Sequence, residues 1–523
     1  HILLNRKDNE TSQHLVFIHQ FSGKKFDYWE KKNVPYIKPV PFFGNYGEYI
    51  TLKNTAGNVV SKICDKYPKE PYIGSFYGPE PALIVQDPDI IKIILTKDFY
   101  YFNGREISEH THKEPSTRGI FFTHGDDWKV IRQNLTPLYT TAKMKNMFPL
   151  IEKCSRTFEN LLLEETKDSN VIKVNCLMAR FALDCVGSAA FGIEPKVMQK
   201  DFENNHFKIM SERIFEKSTY RGIKNVGRSV WPSFFYGLGF HSYRRELKDF
   251  FSSLLRTVFR ERNFEPSNRH DFVDLVLDLN KNEFLVGDSI KRLKTGEFEK
   301  ISIKLDEDIL SAQCVSFLGA GYDTSATACV LTLFEMAKNE HTQDKAFEEI
   351  EKYLDEHENK LNYDCISELP YLEACVNEAL RLYPSLPNLT REVMEDYTFP
   401  TGLRVEKGVR IHLPVGHIQR NSKHFTDPDK FLPERFLPNN RHNIKPFTFM
   451  PFGEGFRICI GLRFAKMLMI AGLATVLKSY KVQLAKGQTS TLEFDPRVVI
   501  NRPRHDVYLK FIPRESRRCY KQE

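Results

Sequence analysis

The sequence predicts one large, mainly α-helical fold with a small β region, and three features carry that expectation. Helical periodicity runs through most of residues 126–325, with Ile151, Cys154, Phe158, Leu161 and Leu162 at spacings of three and four. A proline-free apolar pattern extends from Asp306 to about Lys338, long enough for a helix that crosses the whole molecule. Strand-like runs are few and short, and no break in composition marks a second domain along the 523 residues.

In chain order, residues 1–33 read as an N-terminal segment ahead of one domain spanning 34–523. The first twenty residues mix charge with Leu15-Val16-Phe17-Ile18, an apolar stretch too short for a signal peptide. Val34 to Pro41 holds Pro35, Pro39 and Pro41, which predicts a stiff extended connector. Residues 72–86 carry β-rich runs broken at Gly78, Pro79 and Pro81 and predict a hairpin, followed by a helix with Pro88 in its first turn that ends near Leu95. Residues 217–240 are less regular. The aromatic string from Trp231 to Phe240 fits a packed inter-helix loop or a membrane-touching one. Asp306, Glu307 and Asp308 supply the acidic first turn of the long helix. Further helices are expected over 341–357 and 366–382, the second ended by Pro384. Short strands with turns at Gly402 and Gly408 follow, then a proline-punctuated loop to Gly461, a helix over 462–480 and a β-like tail.

Composition removes several function classes. The net charge of +7 is spread over both signs without a polybasic block, which gives a nucleic-acid partner no support. No two of the ten cysteines stand at C-x-x-C spacing, which argues against zinc ribbons and disulfide scaffolds. No window of eighteen apolar residues exists, so nothing in the sequence reads as a membrane-spanning helix. His412, His417 and His424 are spaced by five and seven, which fits neither a strand face nor a helical metal pair. Gly453 and Gly455 form a G-x-G with no preceding strand and no third glycine at the dinucleotide spacing, so no nicotinamide or flavin site is expected and electrons must come from another protein.

The most informative string is Phe452-Gly453-Glu454-Gly455-Phe456-Arg457-Ile458-Cys459-Ile460-Gly461, opening directly into a helix. Glycines let backbone amides approach the sulfur, and the helix N-terminus adds positive potential. Both favour thiolate over thiol. The other nine cysteines read as small buried hydrophobes.

This string resembles the haem-binding signature F-x-x-G-x-R-x-C-x-G of the cytochrome P450 family at every fixed position. Four further marks stand in the family's order: Trp128 to Arg132 as W-x-x-x-R, Ala320 to Ser325 as A-G-x-[DE]-T-[TS], Glu378 to Arg381 as E-x-x-R, and Pro433 to Phe436 as P-E-R-F. The resemblance runs from about Pro35 to the C-terminus. The wording of the Val34–Gly44 and Leu492–Pro496 stretches looks like the microsomal clan that contains insect detoxification and vertebrate drug-oxidising enzymes.

The resemblance implies haem b held between the long helix and the cysteine loop, with Cys459 as metal ligand and Phe452 beside the cofactor. It implies Trp128, Arg132, Arg391 and Arg457 as partners of the haem propionates, and a buried network of Glu378, Arg381 and Arg435 that fixes the cysteine loop. A kink in the long helix would let Asp323 and Thr324 order water for proton delivery to dioxygen. The 105–122 loop, the 386–389 turn, and Val498 and Val499 would line the substrate pocket. The implied activity is monooxygenation of a small lipophilic substrate with electrons from NADPH, delivered by NADPH–cytochrome P450 reductase, with cytochrome b5 as a further candidate donor. The implied location is the cytoplasmic face of the endoplasmic reticulum membrane, for which the sequence as given shows a missing or incomplete anchor. Two alternatives stay open: a haem-thiolate isomerase or dehydratase acting on a peroxide without reductase, and a non-enzymatic haem sensor or carrier.

Overall fold

Residues 72–85 form the expected hairpin. Strands β1 (Tyr72–Tyr77) and β2 (Glu80–Val85) pair antiparallel, with Tyr77 opposite Glu80 and Gly78 at φ 65° in the turn between them. The computed structural model describes residues 26–514 except His270 and Asn282, so Leu15–Ile18 and Cys519 lie outside the described residues. Helix α1 (Pro88–Lys92) starts under an Asp87 cap that accepts from the Asp89 and Ile90 amides, then continues as a π-helical turn over Ile93–Lys97.

Helices α2 (Gly125–Leu135) and α3 (Thr141–Asp168), strand β3 (Val171–Lys173) and α4 (Val174–Ala189) come next. Residues 217–240 differ from the irregular loop expected. They form α5 (Thr219–Val230), capped by Ser218 on the Arg221 amide at 3.2 Å, and α6 (Pro232–Gly237), which Pro232 separates by ending α5 at Trp231.

Helix α7 (Arg245–Glu261) precedes a second departure, a hairpin of β4 (Phe284–Asp288) and β5 (Lys300–Lys304) within the stretch expected to be helical. Its Phe284 to Asp288 run alternates exposed and buried, a period of two that the longer helical pattern around it masks.

The long helix α8 (Glu307–Lys338) begins where expected, with the Asp306 side chain accepting from the Ile309 amide at 2.7 Å. At ~1.5 Å per residue its 32 residues cross the molecule, and burial on nearly every side explains why it lacks an amphipathic stripe. Helix α9 (Glu340–Glu356) follows. The helix expected over 366–382 is shorter: α10 (Pro370–Leu382) has Pro370 at its first turn, because a proline has no amide to continue the preceding turn over Cys365–Glu368.

Strands β6 (Leu389–Glu392) and β7 (Arg410–Leu413) complete a four-stranded sheet in the order β1-β2-β7-β6. Helix α11 (Leu462–Ser479) and strands β8 (Tyr480–Leu484) and β9 (Tyr508–Pro513) end the chain, with β3 on the free edge of β9. Helices α4, α7, α10 and α11 all pack against α8, which sets it as the axis of the core.

Candidate active site

Cys459 stands two residues before the glycine that leads into α11, at the end of a loop whose shape depends on glycine. Gly453 and Gly455 have φ of 70° and 71°, and a Cβ on Gly455 would lie 1.9 Å from the carbonyl oxygen of Leu95. The Cys459 amide donates to the Phe452 carbonyl at 2.8 Å, and Arg132 Nη1 on α2 donates to the Ile458 carbonyl at 2.9 Å. The Cys459 side chain opens onto an internal cavity rather than bulk solvent. Burial pushes its thiol up, while the Gly461 amide and the Arg132 charge pull it down. Desolvation is the larger influence on this thiol, and a metal cation on the sulfur would favour the anion.

The cavity, about 420 Å³, lies between the cysteine loop and α8. Trp128, Arg132, Arg391, Phe452, Arg457, Cys459 and Thr324 all reach it. Val315, Phe317 and Ala320 give it an apolar wall, and parts of the 105–122 loop, the 386–389 turn, Val498 and Val499 line it as well. Among the nine described cysteines only Cys459 does so.

One rim of the cavity is strongly cationic. Burial lowers Arg391 to about 9 and Arg105 to about 10, and it lowers Arg457 well below the ordinary guanidinium range, where Arg105, Arg391 and Arg132 repel it. Arg457 donates to the Asn103 and Thr123 carbonyls and lies over the Trp128 ring at 4.7 Å. The Nε groups of Arg105, Arg391 and Arg457 are nevertheless buried and unpaired. Orphaned guanidinium donors around one rim suit a dianionic edge, and an apolar slot with a thiol on its wall suits a flat metal-centred ring. The residues present thus fit haem. Arg105 is an addition to the set expected from sequence.

On α8 the structure separates the acid from the alcohol. Thr324 reaches the cavity, but its hydroxyl donates to the Ala320 carbonyl one turn back. Asp323 is buried off the cavity wall, with Oδ2 3.6 Å from Arg502 Nη1. Burial raises its carboxyl, Arg502 opposes that and Glu212 adds to it. Helix α8 keeps its helical assignment through 320–325. A Cβ on Gly319 would meet Ile214 at 2.9 Å and one on Gly321 would meet Val186 at 3.2 Å. Both glycines thus allow close packing against neighbouring side chains.

Glu378 and Arg381 on α10 form a fully buried bidentate pair at 2.7 and 2.9 Å. Arg381 also donates to the carbonyls of Gln419, Pro428 and Lys430, while Glu378 accepts from the Leu432 amide at 2.8 Å and Arg435 Nε at 3.3 Å. Gln419, unforeseen from sequence, accepts from the Met450 amide at 2.8 Å and donates to the Leu380 and Arg381 carbonyls. These bonds tie α10 to the start of the cysteine loop.

The family model described as Cytochrome P450 matches residues 34–511. The chain is 33% identical over 485 residues to cytochrome P450 6j1 of Blattella germanica, with 92% of each chain covered. It is 31% identical to cytochrome P450 6B1 of Papilio polyxenes, with 95% of this chain and 97% of the relative covered, and 29% identical to cytochrome P450 6a2 of Drosophila melanogaster, with 93% and 95% covered. Haem b is the cofactor of this family, a redox partner reductase supplies NADPH-derived electrons, and the substrates are lipophilic. The five motifs, the cysteine-lined cavity and a match over almost the whole chain have one explanation: this chain belongs to the cytochrome P450 family and is a haem-thiolate monooxygenase.

Proposed function

We propose that Cys459 would ligate haem and that Arg132, Arg391 and Arg457, with Trp128 and the added Arg105, would receive its propionates, with Phe452 beside it. The observation that carries this is the set of unpaired buried guanidiniums around the cavity onto which Cys459 opens. When bound, haem supplies dioxygen activation and insertion of one oxygen atom into the substrate. Arg391→Leu removes one cation and its orphaned donor, so the purified protein should retain several-fold less haem while keeping its helical signal. Equal haem content in Arg391→Leu and wild type would take Arg391 out of the cofactor site.

The residues of α8 manage the proton. Thr324 lines the cavity, where its Oγ1 can hold a water once it leaves the Ala320 carbonyl, and the buried Asp323, its carboxyl raised, can store the proton behind it. Thr324→Ala should therefore retain haem and consume NADPH, yet divert most reducing equivalents from product to hydrogen peroxide. Thr324→Ser should recover most coupling and Thr324→Val should not. A threonine that only bonds its own helix would lower stability in these variants without moving the ratio of product to peroxide.

Residues 34–523 act as one catalytic domain in this reading, supported by a cavity whose lining runs from Tyr49 to Asn501. The electron donor is NADPH–cytochrome P450 reductase, and the enzyme works on the cytoplasmic face of the endoplasmic reticulum membrane. Among the described residues no helix is long and apolar enough to cross a membrane. What supports membrane contact is the segment 220–240, where Tyr220, Ile223, Phe234, Leu238 and Phe240 are exposed, beside an exposed Phe42 stacked on Trp231 at 4.6 Å. Phe234→Asp with Leu238→Asp should weaken binding to phosphatidylcholine vesicles by about tenfold or more. Unchanged co-sedimentation would remove this surface from membrane contact.

A further inference from the structure

Two charged side chains of the cavity, Glu106 and Arg228, remain outside the haem site, and Arg228 is the cation of the two. Arg228, in the last turn of α5, is 4% exposed and lines the cavity with its neighbour Ser229 and with Tyr49, Tyr77 and Tyr243. Its Nε and Nη1 are buried without hydrogen-bond partners. It faces rings, those of Phe122 at 5.0 Å and Tyr243 at 5.9 Å. The carboxylate whose charge reaches it is Glu114, which is also buried. Both oxygens of Glu114 are engaged elsewhere, Oε2 by the Tyr236 hydroxyl at 2.8 Å and Oε1 by the Tyr243 amide at 2.6 Å.

Glu114 is shared as well. Arg221, two helical turns earlier, is buried, has an unpaired Nε, lies over the Tyr243 ring at 4.8 Å and feels the same carboxylate. Two buried guanidiniums thus share Glu114, Glu106 lines the wall near Tyr49 and Tyr77, and neither carboxylate takes up the buried Nε and Nη1 donors of Arg228. A buried cation with unspent donors is costly, and an anion arriving at the site would complete it.

We infer that Arg228 anchors an anionic head group of the substrate, so that this enzyme takes a lipophilic acid, its carboxylate on Arg228 and its apolar body along Val315, Phe317 and Ala320 toward Thr324. The inference rests on the reading that the Cys459 cavity is where oxygen is inserted. The reaction is then a hydroxylation of the body of the acid. A C–H bond becomes C–OH with one atom of dioxygen, the other atom leaves as water, and NADPH supplies the two electrons through the reductase.

The test titrates the holoenzyme with saturated acids from octanoic to hexadecanoic and with their methyl esters, following the displacement of the haem absorption band. At the best chain length the acid should bind about tenfold or more tighter than its ester, the size of effect expected for a charge-assisted hydrogen bond. Arg228→Met should abolish that preference and Arg228→Lys should keep part of it. The wild-type comparison stands by itself if the variants fail to fold. Esters binding as well as acids, a preference that survives in Arg228→Met, or no response to any acid would each overturn the anchor. Failure of the underlying reading is separately visible, because a haem spectrum insensitive to replacement of Cys459 would move the reaction site away from this cavity.

Discussion

Arg381→Ala is expected to lose the folded, haem-loaded enzyme under conditions where the wild type accumulates. Both members of the Glu378–Arg381 pair have no exposed side-chain surface, and the guanidinium satisfies a carboxylate and three backbone carbonyls at once. Removing it leaves Glu378 buried with only Arg435 and one amide for partners. Breaking such a pair costs about 3–5 kcal/mol, a large share of the ~5–15 kcal/mol that holds a typical domain together. Arg381→Lys keeps the charge but not the fork, and should fall between the two. Denaturant unfolding followed by helical signal and by haem absorbance checks this. If the pair behaved like a surface i, i+3 pair, worth only tenths of a kcal/mol, both variants would unfold with the wild type. The same experiment addresses the single catalytic domain, since both probes should report one transition and two separated ones would divide it.

How far the sequence reveals this site varies with how local the cause is. The start of α8 is legible because Asp306 and the acids after it act within one helical turn, and the cysteine loop is legible because Gly453 and Gly455 need a backbone only glycine adopts freely. Arg105 and Gln419 are not. Each gains its importance from residues far along the chain, Arg105 from Arg391 and Arg457, Gln419 from Met450, and neither belongs to a periodic pattern. The close approach of Ile214 and Val186 to Gly319 and Gly321 is likewise invisible locally, since both partners lie more than a hundred residues away. The β4–β5 hairpin escapes notice because five alternating residues are too few to stand out in a long helical stretch. For Asp323, sequence gives the carboxyl but not its orientation, which Arg502, nearly two hundred residues away, holds off the cavity wall.

The central claim is that Cys459 ligates haem within a cavity whose rim of guanidiniums holds the cofactor independently of the sulfur. Cys459→His should therefore still bind haem, through the rim and the apolar slot, but NADPH-driven monooxygenation should fall to background because the thiolate sets the reaction class. The most direct measurement is the absorption spectrum of the reduced carbon-monoxide complex of wild type and Cys459→His side by side. The wild type should absorb at the long-wavelength position typical of thiolate-ligated haem, and Cys459→His should shift to the shorter wavelength of a nitrogen-ligated one. An unshifted band in Cys459→His would show that another residue is the ligand and contradict the account.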